Sequence, residues 1–198
     1  MKISKRLKEA KAKIEVEKVY TLSEAVALIK ETSKVKFDAS VEVHAKLGID
    51  PKKSDQLIRD SVILPHGTGK TVRVAAFVPT DQIKEAKDAG ADIAGDAELV
   101  EEIKKTGKCD FDVAITTPMF MKSLAMIARV LGQKGLMPNP KTGTIGDDVK
   151  RMIGELKKGK VSYKNDDTGN VHLVIGKVSF ETSALEENFQ TFFEALKK

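Results

Sequence analysis

The chain is short of the residues that several functional classes need. It has a single cysteine, Cys109, so it can form no intramolecular disulfide and build no cysteine-based zinc site. That cysteine lies beside Asp110 and Asp112, whose negative charge disfavours a thiolate nucleophile. Its three histidines, His44, His66 and His172, do not fall within helical reach of one another, and no carboxylate pair accompanies them. A zinc or hydrolytic centre therefore has little support, and a structural or incidental role is the better reading for all four residues. No apolar run reaches the roughly 20 residues that a membrane helix needs. The first residues, Met1-Lys2-Ile3-Ser4-Lys5-Arg6, lead into a charged stretch without the apolar core of an export signal. The expectation is an intracellular, soluble protein without a membrane partner.

What is present is enough for one or two packed domains: 198 residues, 41% apolar and 32% charged. Lys plus Arg number 34 and Asp plus Glu 29, a net charge of +5. The excess is uneven. Residues 1–67 carry 14 basic and 10 acidic side chains, residues 68–157 carry 14 and 13, and residues 158–198 carry six of each. A solvated, lysine-rich helix face accounts for such an excess; an acidic partner is permitted by it but not identified.

Residues 4–14 read as a polar helix. Thr21, with Glu24 three residues on, forms a capping box that opens a second. Apolar residues then recur at every second position, Val35, Phe37, Ala39, Val41, Val43, Ala45 and Leu47, which predicts one long strand with a buried and a polar face. Residues 56–64 resume as a strand. From residue 70 short apolar strands alternate with helices: strand Val72–Val78, a helix capped by Asp81, strand Ala91–Ala94, helix Ala97–Thr106, strand Phe111–Thr116, a helix from Pro118 to about Leu131, and another over about Asp147–Lys157. Alternation of this kind implies a mostly parallel sheet with helices on its faces. Strands Val161–Tyr163 and Val171–Ile175 flank Asn165-Asp166-Asp167-Thr168-Gly169, a hairpin turn, and a last helix runs from about Ser183 to Leu196.

Neither strand-rich end has enough strands for a stable sheet alone. Joining them gives an α/β protein of discontinuous design: an α+β first domain from 1–67 and 159–198, with a Rossmann-like three-layer α/β second domain, 68–158, inserted. The crossings contain Gly67, Gly69 and Gly159, candidate hinges between the domains.

Gly67-Thr68-Gly69-Lys70-Thr71 resembles part of a phosphate loop. The motif also requires glycine where Leu64 stands, and a helix directly afterwards where a strand is predicted. The first strand of the inserted block runs into Pro79-Thr80, not a glycine-rich turn, so an enzyme using this block for a nucleotide is the weaker reading. A protein-only interaction module would leave the basic excess of the first third without a use. Phe37, beside Lys36, is either core or an aromatic that stacks on an RNA base. Tyr163, Lys164, Asn165, Thr168 and Asn170 around the turn either contact ribose and phosphate or simply face solvent. In Gly132–Thr144, glycines and prolines fix a rigid loop with a basic rim.

Taken together, Phe37–Val43, Leu64–Lys70, Gly135–Thr144 and Lys164–Gly169 resemble, in order and from about residue 4 onward, the bacterial large-subunit ribosomal protein L1 family. The resemblance implies a non-enzymatic, structural protein of the 50S subunit. Its expected partners are the 23S rRNA stalk, the E-site tRNA whose release it assists, and the mRNA of its own operon, which it represses. It implies no cofactor, metal or small-molecule substrate. The RNA-binding surface would comprise Lys36, Phe37, Ser40, Glu42, Lys46, Lys164, Asn165, Thr168, Gly169 and His172. The family-signature loop would comprise Gly132, Lys134, Gly135, Met137, Pro138, Asn139 and Pro140. Where the family usually has Gly-Pro-Arg-Gly, this chain has Gly132-Gln133-Lys134-Gly135, which keeps the charge but not the planar fork of arginine. Family members usually continue past the last helix into a strand with a Ser-Thr-Met-Gly-Pro motif that also contacts RNA; the sequence here ends at Lys198.

Overall fold

In the computed structural model, which describes residues 4–15 and 17–197, side-chain caps open the first two helices. Ser4 Oγ accepts from Leu7 N at the start of α1 (Lys5–Ala12). Thr21 opens α2 (Leu22–Thr32): its Oγ1 accepts from Glu24 N, and the Glu24 carboxylate accepts from Thr21 N at 2.8 Å. This is the capping box read from the sequence. After β1 (Ser40–Lys46) and β2 (Arg59–Ile63), the chain alternates strands and helices. These are β3 (Val74–Phe77), α3 (Ile83–Asp88), β4 (Ile93–Gly95), α4 (Ala97–Thr106), β5 (Val113–Thr116), α5 (Met121–Leu124), α6 (Ala128–Gln133) and α7 (Val149–Lys157). It ends with β6 (Lys160–Lys164), β7 (Asn170–Lys177) and α8 (Thr182–Lys197).

Two compact units result. The first holds the residues up to Leu57, Leu64–Gly69 and the residues from Asn165 onward; the second holds Ile58–Ile63 and Lys70–Lys164. This division differs from 1–67 plus 159–198 against 68–158. The reason is pairing: β2 and β6 hydrogen-bond to each other, antiparallel from Arg59↔Lys164 to Ile63↔Lys160, and both go with the middle of the chain.

The first unit is built on the antiparallel pair β1–β7, covered by α8, with α2 against α8. Val41, Val171, Leu173 and Ile175 of the strands are buried, as are Val26, Leu185 and Phe192 of the helices. Two expectations change here. The strand predicted from Val35 begins only at Ser40, because residues 36–37 bend and the Asp38 carboxylate accepts from Ser179 N at 3.1 Å and from Ser179 Oγ at 2.8 Å. The turn at 165–169 does not join two hairpin partners: beyond the bridge Asn165↔Val171, β6 leaves to pair with β2 and β7 pairs with β1.

In the second unit β3 lies between β4 and β5 in a parallel sheet. Val74, Ala76 and Ile115 pack on one face with Ala86 of α3 and Val149, Ile153 and Leu156 of α7. Ala75, Phe77 and Ala114 pack on the other with Val100 and Ile103 of α4 and with Leu124, Ile127 and Leu131. Cover on both faces is why these strands read as continuous apolar runs. Asp81 caps no helix; it lies in the 3-10 turn Thr80–Gln82, and α3 starts without a side-chain cap. The helix expected from Pro118 is broken into 3-10 turns and the short α5 and α6.

The three candidate hinge glycines all have left-handed backbones, with φ of 62°, 72° and 104° at Gly67, Gly69 and Gly159. Their places differ from the expectation. Gly159 is inside the second unit, where it ends α7 and donates its N–H to Leu156 O at 3.2 Å. The Gly67 carbonyl is held by Asn188 Nδ2 at 2.9 Å within the first unit. Only Gly69 borders a unit boundary, and a Cβ there would meet Lys177 Cγ at 2.7 Å.

The lysine of the phosphate-loop-like segment has a structural partner, and no helix follows it. Lys70 Nζ donates to Asp112 Oδ1 at 2.8 Å, while Arg73 donates its backbone N–H to Oδ2 at 3.0 Å. Lys70 first, then the Arg73 N–H, hold the Asp112 carboxyl below its ordinary value, at about 2. A carboxyl depressed in the folded state stabilises above its unfolded pKa, about 4, and that contribution is lost as pH falls toward 2. Asp112→Asn is therefore expected to lower Tm at neutral pH by about 2–6 °C, the equivalent of ~1–2 kcal/mol, and to flatten the fall in Tm between about pH 4 and 2. Thermal melts of both proteins across that range check it; parallel curves would remove the pair from the account.

Candidate nucleic-acid interface

Side chains alternate across β1. Val41 points to the core, while Ser40, Glu42, His44 and Lys46 are exposed. The antiparallel register sets them beside Lys177, Val174, His172 and Asn170 of β7. Lys177 Nζ donates to Ser40 Oγ at 2.9 Å. The His44 and His172 rings meet edge to face, with Nδ1 atoms 2.6 Å apart. One step ahead of β1, in the bend, Lys36 and Phe37 are both exposed; Phe37 is 71% accessible, which ends the alternative that it belongs to the core.

The turn at the far end of β1 is organised by one carboxylate. Asp166 accepts from Thr168 N at 2.9 Å, Thr168 Oγ1 at 2.8 Å, Asn170 N at 2.8 Å and Asn170 Nδ2 at 3.2 Å, and its Oδ2 lies 3.2 Å from His172 Nε2. The Asn170 N–H, more than any other group, holds this carboxyl far below the ordinary carboxylate range, with Thr168 and His172 adding to it. Gly169 has φ 79°, and a Cβ on it would come 3.3 Å from Ile49 O; its own carbonyl accepts from Leu47 N at 2.9 Å. The turn is thus rigid and tied to the end of β1.

The structure brings Lys36, Phe37, Ser40, Glu42, Lys46, Thr168, Gly169 and His172 into the first unit on and around this ribbon. Asn165 and Thr168 spend side-chain bonds on the turn itself: Asn165 Nδ2 donates to Asp166 O at 3.0 Å, and Thr168 Oγ1 is shared between Asp166 and Asn170. Lys164 is not brought in; it stands on β6 in the second unit, opposite Arg59. His44, Asp166 and Lys177 are additions to the face, and Asn170, already read around the turn, joins them. His44 had a sequence signal, since it falls on the same period-two set as Ser40, Glu42 and Lys46. Asp166 had none beyond its place in a turn motif.

The signature loop lies in the second unit and is internally knotted. The Asn139 carbonyl accepts from Thr142 Oγ1 at 3.0 Å and Thr144 Oγ1 at 3.1 Å, and Asn139 Oδ1 accepts from Lys141 N at 2.8 Å. Thr116 N donates to Thr144 O at 3.1 Å and Gly146 N to Thr116 O at 3.2 Å, so the end of the loop lies along the open edge of β5. Pro138 is buried; Gly132, Gly135 and Pro140 are exposed. Lys134 Nζ caps the end of α4 by donating to Gly107 O at 3.0 Å. Gly143, with φ 63°, leaves room for Lys160 Nζ, which pairs with Glu155 at 2.8 Å. Lys160 and then Arg151 hold the Glu155 carboxyl low. A mixed polar and apolar cavity of about 480 Å³ opens beside the loop, lined by Arg59, Asp112, Gly135, Met137, Tyr163 and Lys164 among others.

Among the described residues no group of histidine, cysteine and carboxylate side chains is arranged to hold a metal, and no helix is long and apolar enough to cross a membrane. The chemistry on display is basic, aromatic and hydrogen-bonding groups on a stiff two-stranded ribbon, of the kind that meets phosphates, riboses and unstacked bases.

Comparison with known proteins gives a consistent picture. The model of the ribosomal protein L1p/L10e family matches residues 29–198. The chain is 52% identical over 197 residues to the large ribosomal subunit protein uL1 of Mycoplasma capricolum, covering 100% of this chain and 87% of that protein. It is 50% identical over 195 residues to the protein of the same name from Fervidobacterium nodosum, covering 98% of this chain and 83% of the relative.

Proposed function

Because this chain belongs to the ribosomal protein L1p/L10e family, we propose that it is a structural, non-enzymatic protein of the large ribosomal subunit that binds 23S rRNA through the exposed face of β1 and β7. The observation that carries the RNA reading is Phe37. A large aromatic, 71% accessible and next to Lys36, has no use in a core and suits stacking on a base. Lys36, Lys46 and Lys177 supply phosphate contacts around it, and the Asp166 turn stiffens the end of the ribbon.

On this reading the rRNA target is the stalk beside the tRNA exit site, the protein assists release of deacylated tRNA, and binding of a stalk-like mRNA structure represses its own operon. It acts in the cytoplasm, on the ribosome. The division into an RNA-binding unit and an inserted Rossmann-like unit is part of the same proposal. The parallel sheet of the second unit lacks a glycine-rich turn after β3, where Pro79-Thr80 stand, which supports a scaffold over a nucleotide site.

The test is binding to a stalk fragment of 23S rRNA over a salt series. Affinity is expected to fall linearly on a log–log plot, with a slope of about −0.7 to −0.9 per phosphate contact. Three to five such contacts correspond to a total slope of about −2 to −4.5. No preference for the stalk fragment over an unrelated hairpin of equal length would overturn the assignment.

A further inference from the structure

Across the middle of the β1–β7 ribbon, His44 and His172 form a directly opposed pair with Nδ1 atoms 2.6 Å apart. Two ring nitrogens at that distance hold one hydrogen between them. The outer nitrogens are also placed. His172 Nε2 is 3.2 Å from Asp166 Oδ2 and His44 Nε2 is 3.7 Å from Glu42 Oε2. Asp166 is kept ionised by the Thr168 and Asn170 donors, so His172 Nε2 carries a hydrogen toward it. That leaves the His172 Nδ1 lone pair to accept from His44 Nδ1–H.

Two protonation states fit this geometry. In the neutral pair, the bare Nε2 of His44 faces the Glu42 carboxylate, lone pair to anion. With one proton added, His44 Nε2–H faces the Glu42 carboxylate as an ion pair at 3.7 Å, and the other three ring nitrogens keep hydrogen-bond partners of the right kind. A second added proton would set two N–H groups against each other at 2.6 Å and break the pair. The charged groups facing it are Glu42 and Lys46 from β1 and Asp166 from the turn. Of these, Glu42 is a negative charge on a face that must meet a polyanion, and a protonated His44 neutralises it.

We propose that His44 is a positioning residue of the RNA-binding face, and that the His44–His172 pair takes up one proton when RNA binds. Its role is to orient His172 and the Asp166 turn and to mask the Glu42 charge. The inference rests on the proposed RNA function of this face.

Affinity for the 23S stalk fragment, measured at pH 6, 7 and 8 at constant ionic strength, is the test. Uptake of a single proton limits the change to about tenfold per pH unit, and a fall of about 3–30-fold from pH 6 to 8 is expected for the native protein. His44→Gln and His172→Gln, each verified as folded by its melting curve, are expected to give flat profiles; two variants keep the test open should one fail to fold. If native and variant proteins share the same pH profile, or the native profile is flat, the proton linkage is wrong while RNA binding stands. No specific binding at any pH overturns the RNA reading and this inference with it.

Discussion

Asn188→Ala is expected to destabilise the first unit by about 3 kcal/mol or more, lowering its Tm by about 10–20 °C. Asn188 is wholly buried in α8, and three of the four hydrogen-bonding capacities of its amide are committed. Its Oδ1 accepts from His66 N at 3.1 Å; its Nδ2 donates to Gly67 O at 2.9 Å and to Ile175 O at 2.7 Å. One side chain thereby ties the segment after β2 and strand β7 to the helix that covers them. Truncation removes the side-chain partner of three backbone groups, of which the Ile175 carbonyl is buried, at roughly 1–3 kcal/mol for a buried group, and adds a small cavity. Asn188→Leu does not rescue the loss, since it fills volume but supplies no donor or acceptor. A calorimetric scan checks this; a Tm within about 2 °C of native would show that water or rearrangement satisfies those groups.

Phe37→Ala is expected to behave in the opposite way. With 71% of the residue accessible, little packing is lost, and Tm stays within about 1–2 °C of native. Affinity for the stalk RNA falls by about 10–100-fold, the equivalent of losing one stacked base at ~1–3 kcal/mol. Phe37→Tyr retains most of the affinity because the ring face is kept. A large drop in Tm with unchanged affinity would contradict the stacking of this exposed ring on RNA.

The contrast between these residues shows where the sequence was legible. Caps and helix ends depend on neighbours in the chain, so the Thr21–Glu24 box and helix Ala97–Thr106 with its left-handed Gly107 follow from pattern alone. The parallel strands were equally readable from short apolar runs between helices. Long-range choices were not. The turn at 165–169 is a real turn, but local chemistry does not tell β6 to seek β2 while β7 seeks β1. Phe37 stands in phase with Val41, so periodicity alone could not separate core from surface; a bend fixed by Asp38 and Ser179, 141 residues apart in the chain, decides it. Asn188 lies on the apolar stripe of α8, where a polar residue signals a buried network only after its partners are known. His44 was the reverse: its phase marked it as exposed, and the cross-strand partner that gives it a role became visible only with the register of β1 on β7.

On the proposed function the exposed β1–β7 face lies against 23S rRNA, and a cross-linker at Phe37 in the assembled large subunit tests this most directly. A photoreactive phenylalanine replacing Phe37, irradiated in purified 50S particles, is expected to join the protein to nucleotides of the 23S stalk. The same probe replacing Met119, an exposed residue of the second unit with 84% accessibility, serves as the comparison. Cross-links from position 37 that map to the stalk and exceed those from position 119 are the predicted result. Cross-links from position 37 to protein alone, or to rRNA no more than from position 119, would contradict it.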